Sequence, residues 1–432
     1  MKAIDRLKLY LDRIDEYNPR LNAFLHLDRK AAHEGARASD QRKEDGHQLS
    51  LIEGFCVAVK ANIAVRGMPF HAGIEAYKDR LATEDARCVK RLRDAGAVVL
   101  GVVNMHEGAL GATTDNACFG RTYNPWGVSL TPGGSSGGSG ASIAAGLCDI
   151  ALGTDTMGSV RIPSAYCGIQ GFKPTYGTVP TDGLIDLSPS LDHVGPHARS
   201  VETLHHAFDV LCGNSRQSDQ LDPSPRIGIW LGSEQIDVHS SVEQSVHYVT
   251  QLLRDAGYEI TYVSPQNYAY GRTRRAGLLI SEVEGFDQHR EVLRASSQGF
   301  TEGFRSMLEW GERQSDEKNA AAFAHLDSIR SSEDSVFRSV DFLIAPTAPQ
   351  PAFRFDEAVP ENQADFTAWA NFAGLPACAI YSGMSDEGLP LSVQIIGRRG
   401  ADANVLKVAA ALEKLIGSPP VPPGYEGVLP GN

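Results

Sequence analysis

The sequence predicts an α/β fold: a mixed, largely parallel central β-sheet covered on both faces by helices. Three observations predict it. Short apolar runs alternate with helical patterns along most of the chain. The runs "FCVAV" at 55–59 and "AVVLGVV" at 97–103 are continuous rather than alternating, the mark of strands buried on both faces. Between them lies the helical pattern "DARCVKRLRDAG" at 85–96, which closes on a glycine cap.

The elements follow in order. The segment 1–50 reads as helical, with Leu7, Leu11 and Ile14 at helical spacing between charges. Strands are expected at 55–63 and 97–104. A small-residue helix is expected at 139–146, giving way to a strand at about Asp149. A helical pattern at 200–211 precedes a linker-like loop at 213–226. Then "RIGIW", "SVEQSVHYVTQLLRDAG" and "YEITYV" form a strand–helix–strand unit to which no chemistry is assigned. Residues 282–325 are mostly polar helix pattern. "DFLIAPTAPQP" at 341–351 is a strand running into a proline-rich turn. "FAGLPACAIYSG", "LPLSVQIIG" and a helix at 402–415 follow, and 416–432 reads as an extended Pro/Gly-rich tail. No internal repeat appears, and the whole of 1–432 is expected to form one domain.

Composition narrows the class. The chain has 432 residues, 42% hydrophobic and 22% charged, which is ordinary for a soluble globular protein. A core of this size needs no metal or disulfide staple. The net charge of −13 argues against broad contact with a phosphate backbone, so no nucleic-acid partner is expected. No signal-peptide h-region and no long apolar run occur, so no membrane partner is expected either. Seven cysteines at wide spacing, with no CxxC, fit reduced thiols of a cytoplasmic protein rather than a disulfide framework or zinc site. A catalytic cysteine is the minor alternative to small buried hydrophobes.

The run "TPGGSSGGSGASIAAG" at 131–146 poses the functional question. A flexible linker would not be flanked closely by strand and helix patterns. A phosphate cradle would need the P-loop lysine or a third glycine at the place Ile143 occupies. Frames centred on Ser135 and Ser136 match the GxSxG elbow of esterases, but "NPWGVSLTPGG" before them is turn chemistry rather than strand. Asp192 and His193, being adjacent, make a poor remainder of a triad.

Further along stands "GTDTMGSVRIPSAYCGIQGFKPTYG". With "GGSSGGS" upstream and "VAVKANI" around Lys60, it resembles the amidase signature family of serine hydrolases. "TTDNACFGRTYNPW", "SLDHVGPHARSV", "FLIAPTAP", "FAGLPA" and "GLPLSVQIIG" stand in family order, so the resemblance spans nearly the whole chain. It implies a Ser–Ser–Lys triad: Ser159 as nucleophile, Ser135 as bridging serine held by a cis peptide, and Lys60 as base. Ser136 becomes a supporting hydrogen-bond partner. The backbone N–H groups of Thr156, Met157, Gly158 and Ser159 become the oxyanion donors. Asp155 and Arg161 are expected as a buried structural pair that organises this loop.

The chemistry needs these residue types. A serine hydroxyl is a poor nucleophile until a base takes its proton. Lysine serves as that base only if burial lowers its pKa from ~10.4. Lys60 ends an apolar strand, so its stem starts among apolar neighbours; a surface lysine after a strand is the plain alternative. Two residues depart from the family pattern. Met157 stands where glycine is usual and is expected to reshape the pocket beside the nucleophile. Ala61 stands where an acid is frequent, which withdraws a hydrogen-bond partner from the neighbourhood of Lys60.

The resemblance implies an amidohydrolase that cleaves a linear carboxamide or urea-like C–N bond through an acyl-enzyme on Ser159. It would release ammonia or an amine, with no metal and no organic cofactor. A small-molecule amide is the expected partner, and a homodimer is a candidate assembly. Three alternatives stand beside it: the glutaminase A-type subunit of a tRNA-dependent amidotransferase, a non-catalytic amide-binding relative, and the esterase centred on Ser135. Met105, Thr113, Asp115 and Met157, with the loops at 268–285 and 366–372, are expected to line the pocket. His289 and Arg290 read as a solvated helix face rather than a carboxylate site.

Overall fold

The computed structural model describes residues 1–213, 222, 224–266 and 268–427. Eleven strands form one sheet: β1 Phe24–Leu27, β2 Cys56–Lys60, β3 Val98–Val103, β4 Ile150–Asp155, β5 Gln170–Lys173, β6 His193–Ala198, β7 Ile227–Ile229, β8 Ile260–Tyr262, β9 Phe342–Pro346, β10 Ala377–Met384 and β11 Pro390–Gly397. Their order is β1-β3-β2-β4-β6-β5-β10-β11-β9-β7-β8.

Helices cover the sheet, so the α/β expectation stands, but the sheet is not largely parallel. Four pairings are parallel, β2 with β3 and β4, and β7 with β8 and β9. Six are antiparallel, and they include the whole middle of the sheet from β4 through β6, β5, β10 and β11 to β9. Parallel pairing needs a crossover of a dozen or more residues, usually helical. Those crossovers occur where strand–helix–strand patterns are visible, at the two flanks.

The continuous apolar strands are buried on both faces, as their composition demands. In β2, Val57 and Val59 enter one core with Val99, Val102, Ile150 and Leu152. Cys56 and Ala58 enter the other, with Val98, Leu100 and Ile143. Side chains alternate along a strand, so Lys60 at the end of β2 shares the face of Cys56 and Ala58. That is the face on which the Gly/Ser helix packs.

The predicted helices at 85–96, 200–211 and 402–415 appear as Arg87–Asp94, Val201–Cys212 and Asp402–Ile416. The small-residue helix runs Gly137–Ala144, starting inside the glycine run. A Cβ on Gly138 would stand 2.3 Å from the carbonyl oxygen of Asn104, so only glycine lets this helix approach β3's end so closely. The N-terminal segment holds helices Ala3–Leu21 and Arg29–Glu44, with β1 between them that the periodicity does not reveal. Most of the linker-like loop, 214–221 and 223, and the end of the tail, 428–432, lie outside the described residues. Among the described residues Cys56, Cys88, Cys118, Cys148, Cys167 and Cys378 are free thiols. No described helix is long and apolar enough to cross a membrane, and no three described His, Cys, Asp or Glu side chains group as metal ligands.

Candidate active site

β2 and β4 lie side by side and parallel. Lys60 is the last residue of β2 and Asp155 the last of β4. The loop 156–160 then leads into the helix Arg161–Cys167. The predicted base and nucleophile therefore leave the same edge of the sheet, at the C-terminal ends of adjacent parallel strands, where open α/β sheets commonly place ligands.

Lys60 is fully buried. Its Nζ donates to Ser135 Oγ and to Thr154 Oγ1, both at 2.7 Å. Burial lowers its pKa to about 7, against the opposing charges of Asp192 and Asp155. The surface-lysine alternative is thereby removed. The Gly134–Ser135 peptide bond is cis. Ser135 is itself fully buried, and its carbonyl accepts from His106 N at 3.0 Å. Ser136 supports the neighbouring chain: its Oγ donates to the Thr154 carbonyl at 3.1 Å, and its N–H donates to the Ser159 carbonyl at 3.3 Å. The cis-peptide segment is in this way stitched both to β4 and to the 156–160 loop.

Asp155 and Arg161 form the buried pair expected of them. Arg161 donates to both Asp155 oxygens at 3.1 Å, and both side chains have 0% exposure. The remaining guanidinium hydrogens reach Gln394 Oε1 at 2.8 Å and Asn371 Oδ1 at 2.5 Å. Burial raises the Asp155 carboxyl, but the Arg161 charge and its hydrogen bonds outweigh that and hold it well below the usual carboxylate range. Asp155 also accepts from Gly158 N at 2.7 Å and Val160 N at 3.1 Å. It thus folds the 156–160 loop over itself.

Those contacts narrow the set of candidate oxyanion donors. The N–H of Gly158 is already engaged by Asp155. The N–H groups of Thr156, Met157 and Ser159 have no acceptor among the described hydrogen bonds. The side chain of Thr156 donates to Asp192 Oδ1 at 2.6 Å, and Asp192 Oδ2 accepts from Leu187 N and Ser188 N. The positive φ in this loop falls on Gly158, at 141°, and not on Met157. Methionine at 157 therefore needs no left-handed backbone, and its effect is on the pocket. The Met157 carbonyl accepts from Thr367 Oγ1 at 2.6 Å.

A cavity of about 140 Å³ opens here, lined by Gly134, Thr156, Met157, Gly158 and Ser159 together with apolar residues of several segments. Ser159 is half-buried at its wall. Three of the expected lining residues are elsewhere. Met105 is fully buried in the core, Thr113 contacts His106 Nδ1, and Asp115 is exposed and paired with Arg121 at 2.6 Å. The backbone turns through positive φ at Ala109 and Thr114, and it is residues 109–112 that face the cavity. From 268–285, Arg274, Leu278 and Ser281 reach the cavity, whereas no residue of 366–372 lines it. Nor do His289 and Arg290: His289 is buried against Tyr77 at 2.9 Å, and Arg290 pairs with Asp287 on the same helix.

Sequence reasoning missed Thr154 as a second partner of Lys60 and Asp192 as the support of the 156–160 loop. A threonine in an otherwise apolar strand was the available signal for the first. Ala61, which stands where an acid is frequent in the family, is buried in the core, and its carbonyl accepts from His71 N and Ala72 N. Ser135 and Thr154 accept the hydrogen bonds of Lys60 instead. The esterase alternative fails on geometry: Ser135 and Ser136 are fully buried and no strand leads into them.

The Amidase family model matches residues 5–406. The chain belongs to the Amidase family. Among its curated relatives is the A-type subunit of glutamyl-tRNA(Gln) amidotransferase from Nostoc sp., 31% identical over 463 aligned residues that cover 95% of this chain and 94% of the relative. A crystal structure of an amidase superposes with a TM-score of 0.89 at 30% identity, covering 96% of this chain and 97% of that one. A chain from a vestigial protein complex bearing on the origins of an s-triazine catabolic enzyme superposes with a TM-score of 0.88, at 30% identity over 98% and 96% of the two chains. Membership in the Amidase family places this chain among enzymes of amide C–N chemistry.

Proposed function

We propose that this chain cleaves a carboxamide or urea-like C–N bond through an acyl-enzyme on Ser159, with Lys60 as base and Ser135 as the relay between them. The observation that carries the reading is the 2.7 Å contact between Lys60 Nζ and Ser135 Oγ, made by a lysine that burial brings to a pKa of about 7. Near neutral pH a substantial share of Lys60 is then the free amine, able to accept a proton.

In the first step Ser159 Oγ bonds to the carbonyl carbon and gives its proton to Ser135, whose own proton goes to Lys60. The oxyanion is met by the N–H groups of Thr156, Met157 and Ser159. The C–N bond breaks as the proton returns through Ser135 to the departing nitrogen, releasing ammonia or an amine. Water then attacks the ester along the same relay and regenerates the Ser159 hydroxyl. Turnover and fluorophosphonate labelling should both vanish in Ser159→Ala. Labelling that persists in that variant sinks the assignment.

A second reading has its own support. The curated relatives are named as amidotransferase subunits of the A type, which favours that role over a free-standing hydrolase. The chemistry at Ser159 is the same; the difference lies in the amide donor, glutamine, and in a partner that receives the ammonia. Glutamine-dependent ammonia release, together with a B-type subunit that co-purifies stoichiometrically, would establish it. A non-catalytic binder is the weakest reading, since a buried lysine bound to a buried serine has no purpose in mere ligand retention.

A further inference from the structure

We propose that the acyl half of the substrate is compact and uncharged, a branched aliphatic or single-ring acyl group, and that the Met157 side chain sets its maximum length. The inference rests on the acyl-enzyme reading above and names its substrate class.

Size comes first. The cavity beside Ser159 holds about 140 Å³. An apolar cavity of roughly 150 Å³ accepts a benzene-sized ligand. Away from the nucleophile loop the walls are mostly apolar, among them Leu110, Ile162, Leu187 and Leu278. Such a space rewards a small hydrocarbon group and offers little to a polar one.

Charge comes second. Two charged side chains reach the cavity, Arg274 and Glu361. Arg274 Nη1 donates to both oxygens of Asp365, at 2.7 and 2.8 Å, and Asp365 is buried. Its Nη2 stands 3.5 Å from Glu361, whose side chain is 88% exposed. The guanidinium is therefore already neutralised, and Glu361 belongs to the solvent side. A carboxylate or ammonium on the acyl group would have to displace a partner from an existing pair. A free amino acid such as glutamine carries both charges, so on this point the cavity departs from the names of the curated relatives.

Length comes third. Met157 is packed with the aromatic cluster of Trp369 and Phe372. Its Sδ lies 2.8 Å from the point where a Cβ on Gly277 would stand, and the Phe372 ring lies 2.4 Å from that point. The methionine is thus wedged between the nucleophile loop and the helix Tyr270–Ala295, with the Phe372 ring behind it. Shortening it extends the cavity toward apolar surface rather than toward solvent.

The test uses the full chain and ammonia release from isobutyramide, benzamide, decanamide and L-glutamine, with a fluorophosphonate probe to score Ser159 separately. Compact neutral amides should exceed decanamide and glutamine in kcat/KM by at least about tenfold, the scale on which an apolar pocket discriminates size. In Met157→Ala the decanamide-to-benzamide ratio should rise by about tenfold. Leu278→Ala, on the facing helix, should move the ratio the same way and serves if the first variant does not fold. Glutamine or decanamide ranking first overturns the inference, as does a ratio unmoved by both variants. If Ser159 labels while every compact amide is inert, the substrate class alone falls. If Ser159 does not label, the acyl-enzyme reading falls and takes this inference with it.

Discussion

Lys60 Nζ and Ser135 Oγ meet at 2.7 Å with both residues closed to water. In the proposed reaction a charged ammonium there would hold a proton that has to be removed. Burial brings its pKa to about 7, so the free amine dominates above that value. The acid limb of kcat/KM should therefore rise through about pH 7 and level off above it. Lys60→Met, which fills the space without a base, should lose at least about 10²–10⁴-fold, the usual scale of general base catalysis. A limb near pH 4, or a Met variant of near-normal rate, would remove Lys60 from the mechanism. The same residue links pH to stability. Its folded pKa is depressed, so the unfolded chain binds more protons between about 7 and 10.5, and this group's contribution to stability rises with pH across that window.

Asp192 couples electrostatically to Lys60. Burial raises its own pKa to about 6, and its charge supports the Lys60 ammonium. Asp192→Asn withdraws that charge, so the acid limb should move to lower pH. It also faces the N–H groups of Leu187 and Ser188 with an amide that accepts on one side only. Unpaired buried donors cost about 1–3 kcal/mol each, so a lower denaturant midpoint should accompany the shifted profile. A purely structural role predicts the lower midpoint with the limb unmoved.

How much of this was legible beforehand depends on the kind of signal. Val57 and Val59 against Cys56 and Ala58 showed a strand covered on both faces, and β2, β3 and β4 are such strands. The sheet's antiparallel middle was hidden. β5 is four residues long, and β6 reads "HVGPHA", with glycine and proline in place of an apolar run. Extrapolating from the flanking crossovers then made the sheet look largely parallel. In the site, the residue types at 60, 135 and 159 carried the family pattern, and the structure brings Lys60 to Ser135 and Ser159 to the adjoining cavity. Pocket direction was not legible. Met105, Thr113 and Asp115 are near the site in sequence, but positive φ at Ala109 and Thr114 turns the chain so that its neighbours face the cavity instead.

Gly158 is the position in the 156–160 loop that cannot carry a side chain. Its φ of 141° lies where L residues are strained, and a Cβ would stand 2.3 Å from Thr367 Oγ1. The contact is with the hydroxyl that holds the Met157 carbonyl. Gly158→Ala should therefore displace the loop and its oxyanion donors. Loss of one such donor costs about 10²–10³ in kcat, and a loss of at least that size is expected here. Thr367→Ala removes the clamp on Met157 without adding a Cβ at 158, so its loss should be smaller. Equal losses would place the effect in the Thr367 bond rather than in the glycine.

The buried Arg161–Asp155 pair makes the last prediction, because its two halves fail differently. Arg161→Met leaves Asp155 charged in the interior, still bonded to Gly158 N, Val160 N and Asn371 but without its counter-charge. Removing one partner of a buried pair costs about 3–5 kcal/mol. Asp155 has a depressed folded pKa, so its contribution to stability is present above the ordinary carboxylate value and is lost only in strong acid. In Arg161→Met that depression shrinks, and the acid unfolding transition should move upward in pH. Arg161→Lys keeps the charge but cannot span Asp155, Gln394 and Asn371 at once. It should keep part of the acid resistance and still lower the denaturant midpoint and kcat together, since the loop that carries the proposed nucleophile is folded on Asp155. Denaturation at neutral pH and at about pH 4 distinguishes the two variants. Identical behaviour at both pH values would show that the charge of Arg161 does not set the stability of this loop.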